Sequence, residues 1–300
     1  MNIFSFLVEL FFGKPNKPTK TTTTTTKKID ITTTTTTTIG DNKMKLALCC
    51  GINKYPNPSN NLAGCVNDCL DLSKLLINTY GFEVKTLIDQ EHTRNNFIRN
   101  VEELLARSPD VLVITNSSHG TRFADSREEE IDGYCEALCL YDGLIVDHDF
   151  KAILAKANSN TSIVVFSDSC HSTGVTRNFL RTMNDSDYIS VPRYLPPEDD
   201  MEAISVSMLP ISKAIFEPNE KMSEVLLAGC KSDQYSYDAA FGGRPNGAFT
   251  YYTVQILSKN PSITYGDFIA EINKYLPSNR YPQCPVCEAN EDIKKKVVFS

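Results

Sequence analysis

DVLVITNSSHG, residues 110–120, and SIVVFSDSCHS, residues 162–172, share one form. In each, a run of apolar residues rich in Val and Ile (Val111–Ile114, Ile163–Phe166) passes directly into a short polar motif. Continuous apolar runs of this length read as strands buried on both faces, as in a parallel sheet covered by helices. In open α/β sheets, ligands bind just past the carboxyl ends of such strands. The first motif places His119 there and the second places Cys170. If the two strands are neighbours, imidazole and thiol face each other across one crevice.

The flanking sequence supplies the rest of that sheet. Lys45–Cys50 (KLALCC) reads as a buried strand, followed by a Pro/Asn loop at Asn53–Asn61. Ala63–Tyr80 has Val66, Cys69, Leu72, Leu75 and Leu76 on one face and is ended by Gly81, which predicts a helix. Glu83–Ile88 reads as a strand, and Thr93 caps a helix carrying Phe97, Ile98, Val101, Leu104 and Leu105. Leu138–Tyr141 is a short strand, Asp147–Ala157 a helix and Glu224–Gly229 another strand. Helices follow at Ala248–Ser258 and Tyr265–Tyr275, and a last strand at Lys296–Phe299. Residues 121–134 are polar, and 184–221 has no clear period. Strands alternating with helices predict an α/β fold, with a mostly parallel central sheet and helices on both faces.

Residues 1–43 differ from this body. Residues 1–18 form an apolar, Phe-rich segment whose first 12 residues would dock on a membrane surface or a partner, being too short to span a bilayer. Residues 19–43 are a Thr/Lys-rich linker holding Thr21–Thr26 and Thr32–Thr38. Six Lys against Glu9, Asp30 and Asp41 give this tail a charge of +3, so the net −7 of the 300-residue chain puts −10 on residues 44–300. That balance excludes a general nucleic-acid binder. Ten Cys in so long a chain are too sparse for a disulfide-stapled mini-domain, and a reducing, cytoplasmic setting is expected.

A thiol beside an imidazole has a defined use. The thiolate is the nucleophile, and histidine takes its proton and returns it to a leaving amine. The backbone N–H groups of Gly120 and Cys170 are placed to hold an oxyanion. Asp168 lies two residues before Cys170, and Asp68 lies where a loop enters the first helix. Taken alone, Asp68 reads as a helix cap or dipole partner. Together, two carboxylates at a crevice holding a thiol select a cationic group, Arg or Lys.

These motifs resemble the caspase-like cysteine peptidases called metacaspases, most of all the compact bacterial-type members. The resemblance rests on Ser117-Ser118-His119-Gly120, Asp168–Ser172, Gly64–Asp68, Asp132–Leu138, Leu227–Cys230, Tyr235–Asp238, Arg244–Thr250 and Tyr281-Pro282-Gln283. It covers about residues 44–300. It implies a caspase-haemoglobinase fold, a His119–Cys170 dyad, cleavage of proteins or peptides after Arg or Lys, and a monomer. It also implies that Asp68, Ser117 and Asp168 line the pocket for the basic side chain. Many members of the family are activated by calcium through several Asp. Here those positions read Cys135, Asp147-His148 and Arg177, a poor set of hard oxygen ligands. No metal or cofactor is therefore expected.

Cys284-Pro285-Val286-Cys287 offers two of the four ligands zinc needs and reads as an occasional disulfide or plain packing. Arg177, Arg181, Arg193, Lys213 and Lys221 follow the nucleophile in the least periodic segment, where an Arg/Lys-cutting enzyme would cut itself. A caspase-like interaction module without proteolysis, tethered by its N-terminal tail, is the competing expectation. The presence of both dyad residues argues against it.

Overall fold

The computed structural model describes residues 43–124, 134–170, 190–196, 224–232 and 234–300. The N-terminal segment and nearly all of the linker lie outside the described residues, as do Arg177, Arg181, Lys213 and Lys221. The core is a six-stranded sheet of β1 (Lys45–Gly51), β2 (Glu83–Ile88), β3 (Val111–Ser117), β7 (Ser162–Asp168), β9 (Glu224–Ala228) and β12 (Val286–Glu288). Its order is β12-β9-β7-β3-β1-β2, all parallel except the antiparallel edge strand β12.

Side chains alternate across a strand, so each central strand feeds two cores. Ala47, Cys49, Val111, Val113, Val164 and Phe166 face helices α1 (Cys65–Tyr80), α4 (Ala248–Lys259) and α5 (Tyr265–Ile272). Leu46, Leu48, Cys50, Leu112, Ile114 and Ile163 face α2 (Arg94–Ala106) and α3 (Asp147–Leu154). The helices therefore cover both faces, as the doubly apolar strands require. Phe166 stacks on Phe249 of α4 with ring centroids 4.6 Å apart. Truncating either ring to Ala would cost about 3–5 kcal/mol.

Two small sheets sit at the carboxyl end of the large one. One joins β4 (Gly120–Ala124), β5 (Tyr134–Cys139) and β6 (Leu144–Val146). The other joins β8 (Val191–Pro192), β10 (Tyr237–Phe241) and β11 (Arg244–Gly247). The polar stretch after His119 thus begins as a strand, because β5 offers it an antiparallel partner. The strand expected at Lys296–Phe299 does not form. Apart from a single bridge from Val297 to Thr264 the chain turns there, and Val298 and Phe299 are drawn into the core one after the other. A short helix, α6 (Glu291–Lys294), precedes that turn. Among the described residues no helix is long and apolar enough to cross a membrane.

Candidate active site

β3 and β7 are neighbours, with Ser117 paired to Asp168 in the register. His119 lies two residues beyond Ser117 and Cys170 two beyond Asp168, so both leave adjacent strands at the same level. Each is buried. His119 is held from three sides. Its N–H donates to the Tyr55 hydroxyl at 3.0 Å, its carbonyl accepts from Cys139 N at 2.9 Å, and its Nε2 lies 2.8 Å from the Asn60 carbonyl. A carbonyl only accepts, so Nε2 carries a hydrogen, and in the neutral ring the lone pair able to take up a proton is on Nδ1. Asn60 ends the one-turn helix Pro58–Asn60, inside the stretch read as a Pro/Asn loop. The Cys170 sulfur accepts from Ser236 N at 2.6 Å. Ser118 keeps an ordinary negative φ and accepts from Asn116 Nδ2 through its hydroxyl at 2.8 Å.

The N–H groups of Gly120 and Cys170 converge on a single oxygen, the carbonyl of Arg193, at 2.9 and 3.2 Å. Arg193 belongs to a segment that crosses the site as an extended strand. Pro192 and Val191 pair antiparallel with Tyr237 and Asp238, Arg193 N donates to Ser236 O at 3.0 Å, and Leu195 N donates to Gly120 O at 3.0 Å.

The Arg193 side chain is fully buried among carboxylates. Nη2 reaches Asp68 Oδ2 at 2.6 Å and Asp238 Oδ1 at 3.0 Å. Nη1 reaches the Asp168 carbonyl at 3.0 Å and Asp168 Oδ2 at 3.3 Å. Two of these carboxylates are anchored at the amino end of α4, where unpaired N–H groups and the helix dipole favour negative charge. Gly247 N donates to Asp68 at 2.9 Å, and Thr250 N donates to Asp168 at 3.0 Å. Ser236 Oγ donates to the other oxygen of Asp168. Asp238 takes the N–H groups of Ala63 and Gly64, at 2.7 and 2.9 Å, just ahead of α1. Burial dominates the titration of Asp68. Arg193 offsets part of that effect and Asp168 adds to it, so its pKa rises from 3.8 to about 7.

The structure brings Asp68 and Asp168 onto one guanidinium. Ser117 stands beside Asp168 in the register, buried, with its carbonyl accepting from Ile52 N at 3.0 Å. Asp238 and Asn60 were not among the expected site residues. Asp238 lies 170 positions from Asp68, and nothing in its local pattern marks it apart from its place in the Tyr235–Asp238 motif. Asn60 acts through its backbone carbonyl, which no sequence pattern reports. At the positions expected to lack calcium ligands, Cys135 is buried. His148 lies between Asp147 and Asp149, at 3.6 and 3.5 Å, and Arg94 reaches Asp149 at 3.3 Å. Among the described residues no cluster of three or more His, Cys, Asp or Glu is arranged to hold a metal.

Known proteins share the fold and part of the sequence. The solved structure of protein GSU0716 from Geobacter sulfurreducens superposes with a TM-score of 0.66 at 25% identity, covering 86% of this chain and 98% of that one. Caspase-1 from Spodoptera frugiperda superposes at 0.51 with 11% identity, over 82% of this chain and 87% of its own, and so shares the fold. Metacaspase-1 of Schizosaccharomyces pombe is 29% identical over 283 residues, 80% of this chain and 65% of that protein. Metacaspase-4 of Arabidopsis thaliana is 38% identical over 143 residues, 44% of this chain and 34% of its own. This chain spans about 65% of the length of the first of these curated relatives. The family profile described as "Caspase domain" matches residues 44–297, so the chain belongs to the caspase-domain peptidase family.

Proposed function

We propose that this chain is a cysteine endopeptidase that cuts after Arg or Lys, and that its own Arg193–Tyr194 bond is a substrate. One observation carries the reading. Arg193 lies in the site as a bound substrate would, its guanidinium on Asp68 and Asp168 and its carbonyl oxygen on Gly120 N–H and Cys170 N–H. In the reaction, His119 Nδ1 takes the proton of the Cys170 thiol, the sulfur attacks that carbonyl carbon, and the oxygen takes up the negative charge between the two N–H donors. Each such donor is worth roughly 10²–10³ in rate. His119 Nδ1 passes its proton to the nitrogen of Tyr194, the C–N bond breaks, and a thioester to Cys170 remains. Water, deprotonated by His119, then releases the Arg193 carboxylate and restores the thiol. Ser117 flanks the pocket beside Asp168.

The same reading takes the enzyme as calcium-independent. The carboxylates Asp147 and Asp149 are already engaged by Lys151, His148 and Arg94. Its substrates are proteins or peptides with Arg or Lys at the cut. It works as a monomer in a reducing, cytoplasmic setting, and residues 1–12 dock on a membrane surface or a partner.

The test offers purified chain Arg-ending, Lys-ending and Asp-ending fluorogenic peptides beside Cys170→Ala, with mass spectrometry of the chain itself. Arg and Lys peptides should be cut and Asp peptides spared. Fragments meeting at Arg193–Tyr194 should appear only when Cys170 is present. Activity on none of these peptides, or activity that survives Cys170→Ala, would leave the non-proteolytic interaction module as the reading.

A further inference from the structure

The segment that crosses the site is held unequally on its two sides. Before the scissile position, Val191 and Pro192 are half-buried and pair through the main chain with β10, with Val191 against the edge of the cluster that holds Leu195. After it, Tyr194 and Leu195 are buried to 8% and 6% exposure, although Pro196, the next residue, is exposed. Tyr194 meets the Tyr235 ring edge-on at 5.9 Å between centroids and joins a cluster with Tyr237, Ala239 and Tyr281. Burial, with Tyr235 and Cys139 alongside, pushes its hydroxyl up to about 12, so the ring sits there uncharged. Leu195 belongs to a separate apolar cluster with Ile52, Tyr55, Leu62, Ala137 and Val146. Its N–H on Gly120 O sets the depth at which the side chain enters.

We propose that the enzyme reads the two residues after the cut: an aromatic ring against Tyr235 and an aliphatic side chain in the pocket between the Ile52–Leu62 loop and β5–β6. The inference rests on the proposed endopeptidase activity and names its substrate class, internal segments of the form Arg-aromatic-aliphatic. The physical reason is burial. Apolar area removed from water stabilises the bound state in proportion to its size, and here the more fully buried pair, Tyr194 and Leu195, lies on the leaving side of the bond. Selectivity beyond the basic residue therefore belongs to the leaving group. Peptides that end in a small fluorophore after Arg lack it.

The test uses internally quenched peptides cut by the full-length chain. Val-Pro-Arg-Tyr-Leu is compared with Val-Pro-Arg-Gly-Gly and with Gly-Gly-Arg-Tyr-Leu. Replacing Tyr-Leu should lower kcat/KM at least tenfold, and replacing Val-Pro less than threefold. In Tyr235→Ala, the penalty for losing the aromatic residue, taken as the ratio of kcat/KM for Val-Pro-Arg-Tyr-Leu to that for Val-Pro-Arg-Gly-Gly, should shrink at least threefold. Arg peptides cut with no preference for Tyr-Leu, or with the larger penalty on the Val-Pro side, would overturn this inference and leave the proposed activity standing. Failure to cut any Arg peptide would overturn both.

Discussion

Two buried arginines in this molecule meet aspartates, and they do so to opposite ends. Arg94 begins α2 and is shared among Asp149, the Leu144 carbonyl and, through its own N–H, Asp142. Arg193 lies in a short extended segment and meets three carboxylates, two of them fixed by the start of α4 and one by the approach to α1. The first arrangement pairs one cation with one carboxylate and ties a helix to its neighbours. The second keeps its carboxylates in place through backbone N–H groups that do not depend on Arg193. A carboxylate set that is organised without its cation, and exceeds it in charge, is built as a receptor. A set that matches its cation is a brace.

That contrast can be broken most severely at Gly247. A Cβ there would collide with Asp168 Oδ2 first and would stand 2.5 Å from Arg193 Nη1, so it would displace both the carboxylate and the guanidinium it holds. Gly247→Ala should lower kcat/KM for Arg peptides at least 10³-fold, about 4 kcal/mol, and stop cleavage at Arg193. Circular dichroism should show the fold retained. Wild-type rates in that variant would show that the basic side chain binds elsewhere. Arg94→Ala should do the reverse. It leaves Asp149 buried without its cation, which costs stability of about 3 kcal/mol by urea unfolding, while kcat/KM of the folded enzyme stays within twofold. A catalytic loss larger than that would erase the distinction between brace and receptor.

A smaller effect follows from Asp68. Its pKa near 7 in the fold lies above the value of about 3.9 of an unfolded chain. Between these values the folded state holds the extra proton, so this group's contribution to stability is complete below about pH 4 and is lost as pH rises through 7. In a Cys170→Ala background, melting temperatures should therefore fall relative to those of Asp68→Asn between pH 4 and pH 8. A gap that widens in favour of Asp68 would mean that Arg193 outweighs burial. The smallest effect is expected from calcium. Millimolar Ca²⁺ or a chelator should change activity less than twofold, and a tenfold gain on adding Ca²⁺ would show that Asp147 and Asp149 trade their partners for the ion.

Much of this was legible in the chain. The apolar runs at Lys45–Cys50, Val111–Ile114 and Ile163–Phe166 are strands to within a few residues, because a strand covered on both faces has no polar side to disguise it, and the partly exposed Glu83–Ile88 and Glu224–Gly229 are strands as expected too. The small sheets were harder. Tyr237–Phe241 is a five-residue run interrupted by Asp238, and Arg244–Gly247 is a four-residue run holding Pro245 and Gly247; both are too short for a period to show, and pairing with each other makes them strands. At the carboxyl terminus the apolar run was misleading, since Val298 and Phe299 are buried by a turn.

The sequence alone marked which side chains could react and which carboxylates would gather beside them. His119, Cys170, Asp68 and Asp168 stand in short motifs whose local structure is set by a strand end or a helix start. Tertiary structure alone decided what meets there. Pairing of β3 with β7 matched the levels of His119 and Cys170. The start of α4 aimed two carboxylates, and a strand pairing across more than 40 residues seated Arg193 among them with Asp238. Such contacts join residues tens to nearly two hundred positions apart, and their geometry follows from packing and register, which no local pattern encodes.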